Sequence, residues 1–368
     1  MHKKKLTFTV INDLLYDQRM QRICTSLSNN GFDVTLIGTK FNHSLNITNQ
    51  VYKQKRIKIF FKKSIFLYLE YNIKLLFYLP FIKTDVYVAI DLDTILPNYI
   101  ASVIKQKKRV YDAHELFTEL IEVVRRPLVQ KIWLGIEKFA VPKFKLGYTV
   151  NNFIKEEFKR RYGVDYKVIQ NLPTLSNAPI PNATINSKKI IIYQGAVNEG
   201  RGFENLIPAM EKVNGELHIY GVGNFFDEAK TLITTYQLQQ KVKLFGSVLP
   251  KDLKVITPTA TLGVTIFEAN GLNQVYSLAN RFFDYIMAGI PQLCVGYPEY
   301  QEINSKHNIA YLISSIEKEK ITHALNYLLE NGVLLQQLKE NTLKAREILN
   351  WEFEEKKLLE FWKSICTL

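Results

Sequence analysis

The sequence has few cysteines and no long apolar run. Its three cysteines are far apart in 368 residues and have no CxxC or metal-ligand spacing, so reduced thiols in a cytosol are expected. No run of about 18 apolar residues occurs, so no transmembrane helix is expected. The N-terminus, MHKKKLTFTV, is basic, but Asn12, Asp13 and Asp17 interrupt the apolar stretch behind it. It is interpreted as a first strand and not as a signal peptide.

The excess positive charge lies in the first half of the chain. Residues 1–172 hold 29 Lys+Arg and 15 Asp+Glu, whereas residues 173–368 hold 19 and 20. This imbalance favours an anionic partner, such as a membrane surface, nucleic acid or a phosphorylated substrate. Nucleic acid is disfavoured because no basic stripe with a base-stacking motif occurs.

Residues 55–83, KRIKIFFKKSIFLYLEYNIKLLFYLPFIK, mix Lys and Arg with aromatic and aliphatic side chains. Such a segment could lie in a membrane interface. It could equally be a buried helix with basic flanks, and the two interpretations do not exclude each other.

The chain is too long for one ordinary core, so two domains are expected. In both halves short apolar strands alternate with helical patterns, which predicts two doubly wound, Rossmann-like α/β domains with parallel sheets. The Pro-, Asn- and Ser-rich segment NLPTLSNAPIPNATINSKK separates them. The predicted organisation is an N-terminal domain, a linker, a second domain and a C-terminal helix, at residues 1–172, 173–188, 189–350 and 351–368. Two such domains would face each other across a cleft, and ligands bind beyond the carboxyl ends of parallel strands.

Glycine-containing turns follow the predicted strands of the second half. YQGAVNEGRGFENLIPAM, residues 193–210, reads as a strand, a glycine loop and a helix that begins near Gly202. Helix N-termini carry unpaired N–H groups and Arg201 adds a bidentate donor, so this segment favours phosphate over a plain turn. IYGVGNFFDEA and LFGSV repeat the strand and glycine turn, where glycines either allow close approach to a ligand or form ordinary tight turns.

A second motif combines a cation and a carboxylate near a helix start. In YSLANRFFDYIMAGIP, residues 276–291, Arg281 and Asp284 stand among apolar residues. Either they pair with each other, three residues apart, or both point into the cleft. In the cleft the carboxylate would suit ribose or sugar hydroxyls, and the arginine would suit a diphosphate.

These two segments, in this order and spacing, resemble the donor-binding half of retaining GT-B glycosyltransferases of glycosyltransferase family 4, the glycosyl transferases group 1. In the first half, NDLLYDQRMQRICTSLSNNGFDVTLIG, YVAIDLDTILPNYIAS and RVYDAHELF are similar to segments of the same family. The closing NWEFEEKKLLEFW resembles its final helix, which crosses back onto the N-domain. The resemblance covers essentially the whole chain.

The resemblance implies a set of site residues. Arg201, with the backbone of Gly195 and Gly202, would bind the donor diphosphate, Asp284 would hold the nucleotide ribose, and His114 would lie near the point of sugar transfer. The implied catalytic residues are His114 and Arg201, and the implied acceptor-binding residues are Asp17, Arg19, Asp112 and Glu115. The implied donor-binding residues are Gly195, Gly202, Gly221, Gly223, Ser247, Ser277, Leu278, Asn280, Arg281 and Asp284.

The chain departs from the family at two positions. Tyr276 stands where many members have the first of two glutamates, and Ala196 stands where many have an arginine. The charge of the diphosphate must then be balanced by Arg201, Arg281 and helix dipoles.

Two features of the first half have competing interpretations. DLD, residues 91–93, has the Asp-X-Asp spacing of metal-nucleotide sites in a different glycosyltransferase fold. Two carboxylates alone bind hard cations poorly, so this segment is interpreted as a strand end followed by a helix that Asp93 caps. His114 is either a functional residue that faces the cleft or a hydrogen-bonded structural histidine, neutral at pH 7.

The implied function is transfer of a sugar from a nucleotide-diphosphate sugar to a glycan or lipid-linked glycan. It would proceed with retention, without a metal or other cofactor, in surface polysaccharide synthesis. The expected location is the cytoplasm, at the inner face of the membrane, with peripheral membrane contact through the basic N-domain and no nucleic acid partner. Three alternatives remain: a nucleotide-sugar epimerase, a non-catalytic glycosyltransferase-like assembly partner, and a two-domain small-molecule-binding protein, which the missing export signal disfavours.

Overall fold

The computed structural model describes residues 3–42, 44–62, 64–175 and 189–366. The chain divides into two compact units. The first consists of two segments, the chain up to Asn171 and the chain from Glu354 onward, and the second is Leu172–Phe353. Each unit is built on a parallel sheet, which confirms the predicted doubly wound α/β fold class. Most of the predicted linker, residues 176–188, lies outside the described residues.

The described part of the first unit contains a seven-stranded sheet in the order β3-β2-β1-β4-β5-β6-β7. Its centre is buried on both faces: Phe8 lies beside Leu36 and Val88 on one face, and Ile37, Tyr87 and Ala89 are fully buried on the other. Burial on both faces is what helices on either side of a parallel sheet require. The strands are β1 Lys5–Thr9, β2 Asp33–Lys40, β3 Lys53–Lys58, β4 Val86–Ile90, β5 Lys108–Ala113, β6 Leu146–Thr149 and β7 Lys167–Val168.

The helices of this unit connect successive strands. They are α1 Gln18–Asn29, α2 Ser64–Tyr78, α3 Ile95–Ile104, α4 Ile121–Val124, α5 Pro127–Ala140 and α6 Asn152–Tyr162. The last of these shows the local signals clearly: the Asn151 side chain accepts from the N–H of Ile154 at the start, and Gly163 ends the helix at φ 66°. No helix in the described ranges is both long and apolar enough to cross a membrane.

The second unit has a six-stranded sheet among its described residues, in the order β10-β9-β8-β11-β12-β13. Its strands are β8 Ile190–Gln194, β9 Glu216–Tyr220, β10 Val242–Gly246, β11 Leu262–Thr265, β12 Gln292–Val295 and β13 Ala310–Ile313. Its helices are α7 Phe203–Ala209, α8 Phe226–Thr235, α9 Pro250–Ile256, α10 Leu272–Val275, α11 Asn280–Ala288, α12 Pro298–His307, α13 Lys318–Glu330 and α14 Gly332–Arg346.

The last helix, α15 Trp351–Cys366, carries the chain back into the first unit. Its Trp362 is fully buried, and the ring lies 5.6 Å from that of Phe8 and 6.4 Å from that of Phe32, measured between centroids. A buried tryptophan at this position ties the C-terminal segment to the first sheet through apolar contact.

Candidate functional site

Three polar residues of the first unit meet where β4 and β5 end. Asp91 follows β4, Asp112 lies in β5, and His114 follows β5, and these two strands are neighbours. The imidazole lies between the two carboxylates, with Nδ1 3.3 Å from Asp91 Oδ2 and Nε2 3.2 Å from Asp112 Oδ1. The backbone N–H of His114 also donates to Asp91 Oδ1 at 2.8 Å. The residue is therefore held at three points.

Arg19, from the first turns of α1, completes this group. Its Nη2 lies 3.0 Å from Asp112 Oδ1 and its Nε lies 2.8 Å from Nε2 of His114. Arg19 is 5% exposed and Asp112 is not exposed at all. Both residues are buried against His114, and their predicted contact with an acceptor stays a prediction. We name Arg19, Asp91, Asp112 and His114 the histidine cluster.

The histidine cluster pairs two carboxylates with one permanent cation, Arg19. Burial disfavours the imidazolium, but the charges of Asp91 and Asp112 outweigh this effect and raise the pKa of His114 to about 9. Burial also disfavours the Asp112 carboxylate, but Arg19 and His114 hold the pKa of Asp112 below its ordinary value. The cluster is electrically balanced when His114 is protonated. The raised pKa favours a protonated His114 over the neutral structural histidine of the alternative interpretation.

Both ring nitrogens of His114 are occupied in either protonation state. A neutral ring accepts from Nε–H of Arg19, and a protonated ring donates Nε2–H to Asp112, while Nδ1–H faces Asp91 throughout. The side chain is 20% exposed. Once protonated, a histidine bound in this way presents a positive charge and a fixed edge to a ligand, and it has no nitrogen left to take a further proton.

The other predicted residues of the first unit have structural roles or lie close by. Asp17 caps α1 by accepting from the N–H of Met20, and its other oxygen accepts from Asn12 at 2.9 Å. Both oxygens of Asp17 are engaged in these contacts, and its predicted role in acceptor binding stays a prediction. Glu115 follows His114 directly and is half-buried.

Asp93 does not cap the following helix as predicted. It lies in a single 3₁₀ turn, Leu92–Thr94, and α3 begins after Thr94 without a side-chain cap. Its carboxylate is buried, and burial together with Asp91 and Glu115 raises its pKa well above the ordinary value.

Asp91 is the residue that sequence reasoning missed. It was considered only as part of a metal motif, whereas its backbone φ of 54° turns the chain so that its carboxylate meets His114. With a ψ of 176°, this positive φ is a conformation that residues other than glycine rarely adopt. The available signal was the position itself: residues that follow neighbouring parallel strands meet at one sheet edge.

In the second unit the corresponding edge is dominated by Arg281, in the first turn of α11. The side chain is 7% exposed. Nη1 donates to the Tyr193 hydroxyl at 3.1 Å, Nη2 donates to the Ile266 carbonyl at 3.4 Å, and the guanidinium lies over the Tyr193 ring, 4.6 Å from its centroid. Within the described ranges, the buried Nε–H has no hydrogen-bond partner. The Arg281 guanidinium is thus held in place and keeps one N–H that could donate to a ligand.

Gly195 lets this guanidinium lie against the loop after β8. A Cβ on Gly195 would be 3.5 Å from Nη1 of Arg281, and the backbone φ of 127° is one that side chains rarely adopt. Gly195 and Arg281, which were each predicted to bind the donor, are therefore brought together by the fold.

Arg281 and Asp284 have different neighbours. Asp284 accepts from Nε2 of Gln194 at 3.1 Å, and Oε1 of Gln194 accepts from the Thr257 hydroxyl at 2.6 Å. Gln194, the last residue of β8, is 5% exposed. It fixes the orientation of the Asp284 carboxylate, a role that sequence reasoning did not assign.

Arg201 and Gly202 stand at the start of α7 as predicted from the glycine loop. Gly202 precedes the helix at φ 74°, and Arg201 is half-buried. A hydrogen bond holds this loop to the next one: the carbonyl of Gly200 accepts from the N–H of Glu268, which follows β11. The loops after β8 and β11 thus lie side by side.

Gly221 and Gly223 are explained by packing between loops. A Cβ on Gly221 would be 1.8 Å from the carbonyl oxygen of Gly195, and one on Gly223 would be 2.2 Å from that of Val197. The β8 loop makes the close approach that these glycines allow, and their predicted role in donor binding stays a prediction.

The remaining predicted donor residues lie on loops or at the start of α11. Ser247 is exposed after β10, the Ser277 hydroxyl donates to the Gln274 carbonyl, and Leu278 packs on the apolar core of the unit. Asn280 is exposed as the first residue of α11.

The two positions of departure are both accounted for locally. The carbonyl of Ala196 accepts from the Tyr193 hydroxyl at 2.8 Å, and the same hydroxyl receives Nη1 of Arg281. Arg281 therefore supports the loop in which Ala196 replaces an arginine. Tyr276 is half-buried and ends the single turn of α10.

Solved structures with this fold cover the chain almost completely. A sucrose-phosphate synthase from Thermosynechococcus elongatus is 14% identical, with a TM-score of 0.78 over 99% of this chain and 100% of that one. A glycosyltransferase from Rickettsia africae is 13% identical, with a TM-score of 0.73 over 100% and 99%. HepE from Anabaena, solved with UDP-glucose, is 12% identical, with a TM-score of 0.73 over 98% and 99%.

The comparisons by sequence are narrower. No curated protein has a significant match to the chain. Residues 179–345 match the family model described as glycosyl transferases group 1. This segment contains Gly195, Arg201, Arg281 and Asp284. Residues 179–345 are therefore similar to the glycosyl transferases group 1 family, within a chain that has the GT-B fold.

Proposed function

We propose that this protein transfers a sugar from a nucleotide-diphosphate sugar to a glycan or lipid-linked glycan, with retention of anomeric configuration and without a metal. The observation that carries the proposal is the buried Arg281 guanidinium beside Gly195, at the carboxyl edge of the sheet within the family-matched segment. Its unpartnered Nε–H and the glycine loop suit a phosphate group. Asp284, held by Gln194, suits the hydroxyls of a ribose.

The proposed reaction breaks the bond between the anomeric carbon and the diphosphate oxygen. The acceptor hydroxyl attacks the anomeric carbon on the face that the diphosphate leaves, and its proton passes to the departing phosphate oxygen. Arg201 and Arg281 stabilise the negative charge that develops on the diphosphate. His114 contributes a positive charge and a fixed ring edge, because both of its nitrogens are already bound.

The basic first unit is proposed to receive the acceptor. Its surplus of Lys and Arg supports an acceptor that is anionic or lies at an anionic membrane surface. We propose that the protein works in surface polysaccharide synthesis, in the cytoplasm at the inner face of the membrane, with peripheral contact through this unit.

A thermal-shift panel tests the donor. UDP, GDP, ADP, TDP and CMP, with the matching sugars, are added to purified protein without metal, and UDP-glucose comes first because the similar HepE was solved with it. A ligand that binds only the folded state raises the melting temperature by mass action. Consumption of the donor without any acceptor would favour the epimerase. Binding of no nucleotide by folded protein would favour the non-catalytic assembly partner.

Replacement of Arg201 by Ala should weaken binding of the nucleotide sugar about 10–100-fold, the value of one or two charge-assisted hydrogen bonds. Isothermal titration with the donor found in the panel measures it. The control is Lys251→Ala, an exposed cation on α9 of the same unit. Equal affinities for Arg201→Ala and the unmodified protein would remove Arg201 from the donor site and count against the proposal.

A further inference from the structure

Helix α2 is apolar on two sides. Its inner side, with Tyr71 and Leu75, is fully buried in the core of the first unit. Its outer side repeats large apolar residues at every fourth position, and these remain exposed: Ile65 49%, Leu69 54%, Ile73 43% and Phe77 75%. A helix that is hydrophobic all round is ordinarily covered on all sides. The described residues leave this stripe uncovered.

Helix α5 carries a second exposed stripe beside the first. Leu128 is 80% exposed and Ile132 and Phe139 are about half exposed, at 50% and 49%. The two helices are adjacent, since the rings of Tyr68 in α2 and Trp133 in α5 lie 5.3 Å apart. We name the exposed residues of the two helices and of the turn after α2 the apolar face: Ile65, Phe66, Leu69, Ile73, Phe77, Phe81, Leu128, Ile132 and Phe139.

The apolar face lies in strongly basic segments. Residues 53–83 contain eight Lys+Arg and one acid, and residues 124–143 contain five and one. The two acids are withdrawn from solvent: the Glu70 side chain is 11% exposed and bound to Lys74, and Glu137 is 1% exposed. Exposed cations such as Lys62, Lys83, Lys131 and Lys138 belong to these segments.

We propose that the apolar face docks on an anionic lipid bilayer. Large apolar side chains enter the boundary of the acyl chains, and the surrounding lysines meet the phosphate headgroups. This inference assigns a defined surface to the membrane contact of the proposed function, and it rests on that function only for the use of the contact in reaching a lipid-linked acceptor.

Charge complementarity selects the bilayer over a second copy of the chain. In a two-fold dimer the same surface meets itself, so the basic segments of one copy would oppose those of the other. Like charges brought together at an interface oppose association. An anionic surface has the opposite sign and needs no matching shape.

Sedimentation with vesicles tests the inference. The full chain should bind vesicles of phosphatidylglycerol with phosphatidylcholine more tightly than vesicles of phosphatidylcholine alone, and added salt should weaken the binding. The triple variant Phe77→Ser, Phe81→Ser, Leu128→Ser should reduce binding at least about tenfold, because each side chain loses apolar area that enters the bilayer. A second variant, Lys131→Gln with Lys138→Gln, should reduce only the preference for phosphatidylglycerol.

The matched control is Val255→Ser with Val333→Ser in the second unit. These valines are 71% and 83% exposed, as fully as the three replaced residues, and lie outside the apolar face. They should leave vesicle binding unchanged. The inference is overturned if the unmodified protein stays in the supernatant, or if the triple variant binds like the control. It is also overturned if the triple variant changes a dimer to a monomer without altering vesicle binding. Nucleotide thermal shifts without vesicles report on the proposed function separately, and the triple variant should retain them.

Discussion

Replacing Arg19 by Met should lower the free energy of unfolding by about 3–5 kcal/mol, the range for breaking a buried ion pair from one side. Arg19 is 5% exposed and its partner Asp112 is not exposed at all, with 3.0 Å between Nη2 and Oδ1. Without the guanidinium the Asp112 carboxylate stays buried and loses its permanent cationic partner. The Ile169 carbonyl also loses a donor, since Nη1 and Nη2 of Arg19 both lie 3.4 Å from it.

The measurement is denaturant unfolding followed by tryptophan fluorescence, which reports on this unit through Trp133 and Trp362. The control is Lys53→Met, because the pair of Lys53 and Asp33 is solvent-exposed, with 69% exposure on the lysine. Exposed pairs contribute at most about 1 kcal/mol.

The double variant Arg19→Met, Asp112→Asn should recover part of the loss, because it removes the uncompensated charge as well. If Arg19→Met costs no more than Lys53→Met, Arg19 and Asp112 do not form a buried ion pair in solution.

The central strands were predictable because a strand that is buried on both faces has an uninterrupted run of apolar residues. VYVAI, residues 86–90, is buried at every position. The strand β3 was not predicted, since its sequence KQKRIK lies at the sheet edge with its lysines exposed and carries no apolar run. The two-residue β7 is too short for any pattern. Sequence periodicity thus finds the middle of a sheet better than its edges.

The sequence predicted where in the chain the candidate site residues lie, but not which residues they contact. Residue type and spacing placed Arg281 and Asp284 near the end of a buried strand. They could not show that Arg281 is bound to Tyr193, 88 residues earlier in the chain. Gly221 was assigned to a ligand because the sequence does not show its contact with Gly195. That contact exists only once two loops pack together. Long-range contacts of this kind decide whether a polar residue is free to bind.

The histidine cluster predicts that stability falls as pH rises from about 6.5 to about 9. An unperturbed histidine has a pKa of about 6.5, and the pKa of His114 in the folded protein is about 9. Folding therefore favours the imidazolium. Its contribution is complete below pH 6.5 or so and is lost as pH passes the folded value. The difference between the two pKa values corresponds to about 3 kcal/mol.

Asp91→Asn isolates the cause of this dependence. Asn matches the carboxylate in size, tolerates the positive φ at this position and can still accept from the His114 N–H, but it removes one of the two charges that raise the pKa. The loss of stability between pH 6.5 and 9 should shrink by about half if the two carboxylates contribute equally.

His114→Gln gives the reference curve, because it lacks the titrating group while other ionisable residues remain. NMR titration of the histidine ring protons locates the pKa directly, with His114→Gln identifying the resonance among the six histidines. A His114 resonance that titrates at or below about 6.5 would contradict the cationic cluster. It would also leave His114 neutral at physiological pH, with Nε2 accepting from Arg19, and would withdraw the positive charge assigned to it beside the acceptor. A value near 9 that falls in Asp91→Asn would establish Asp91 as the residue that keeps this histidine charged.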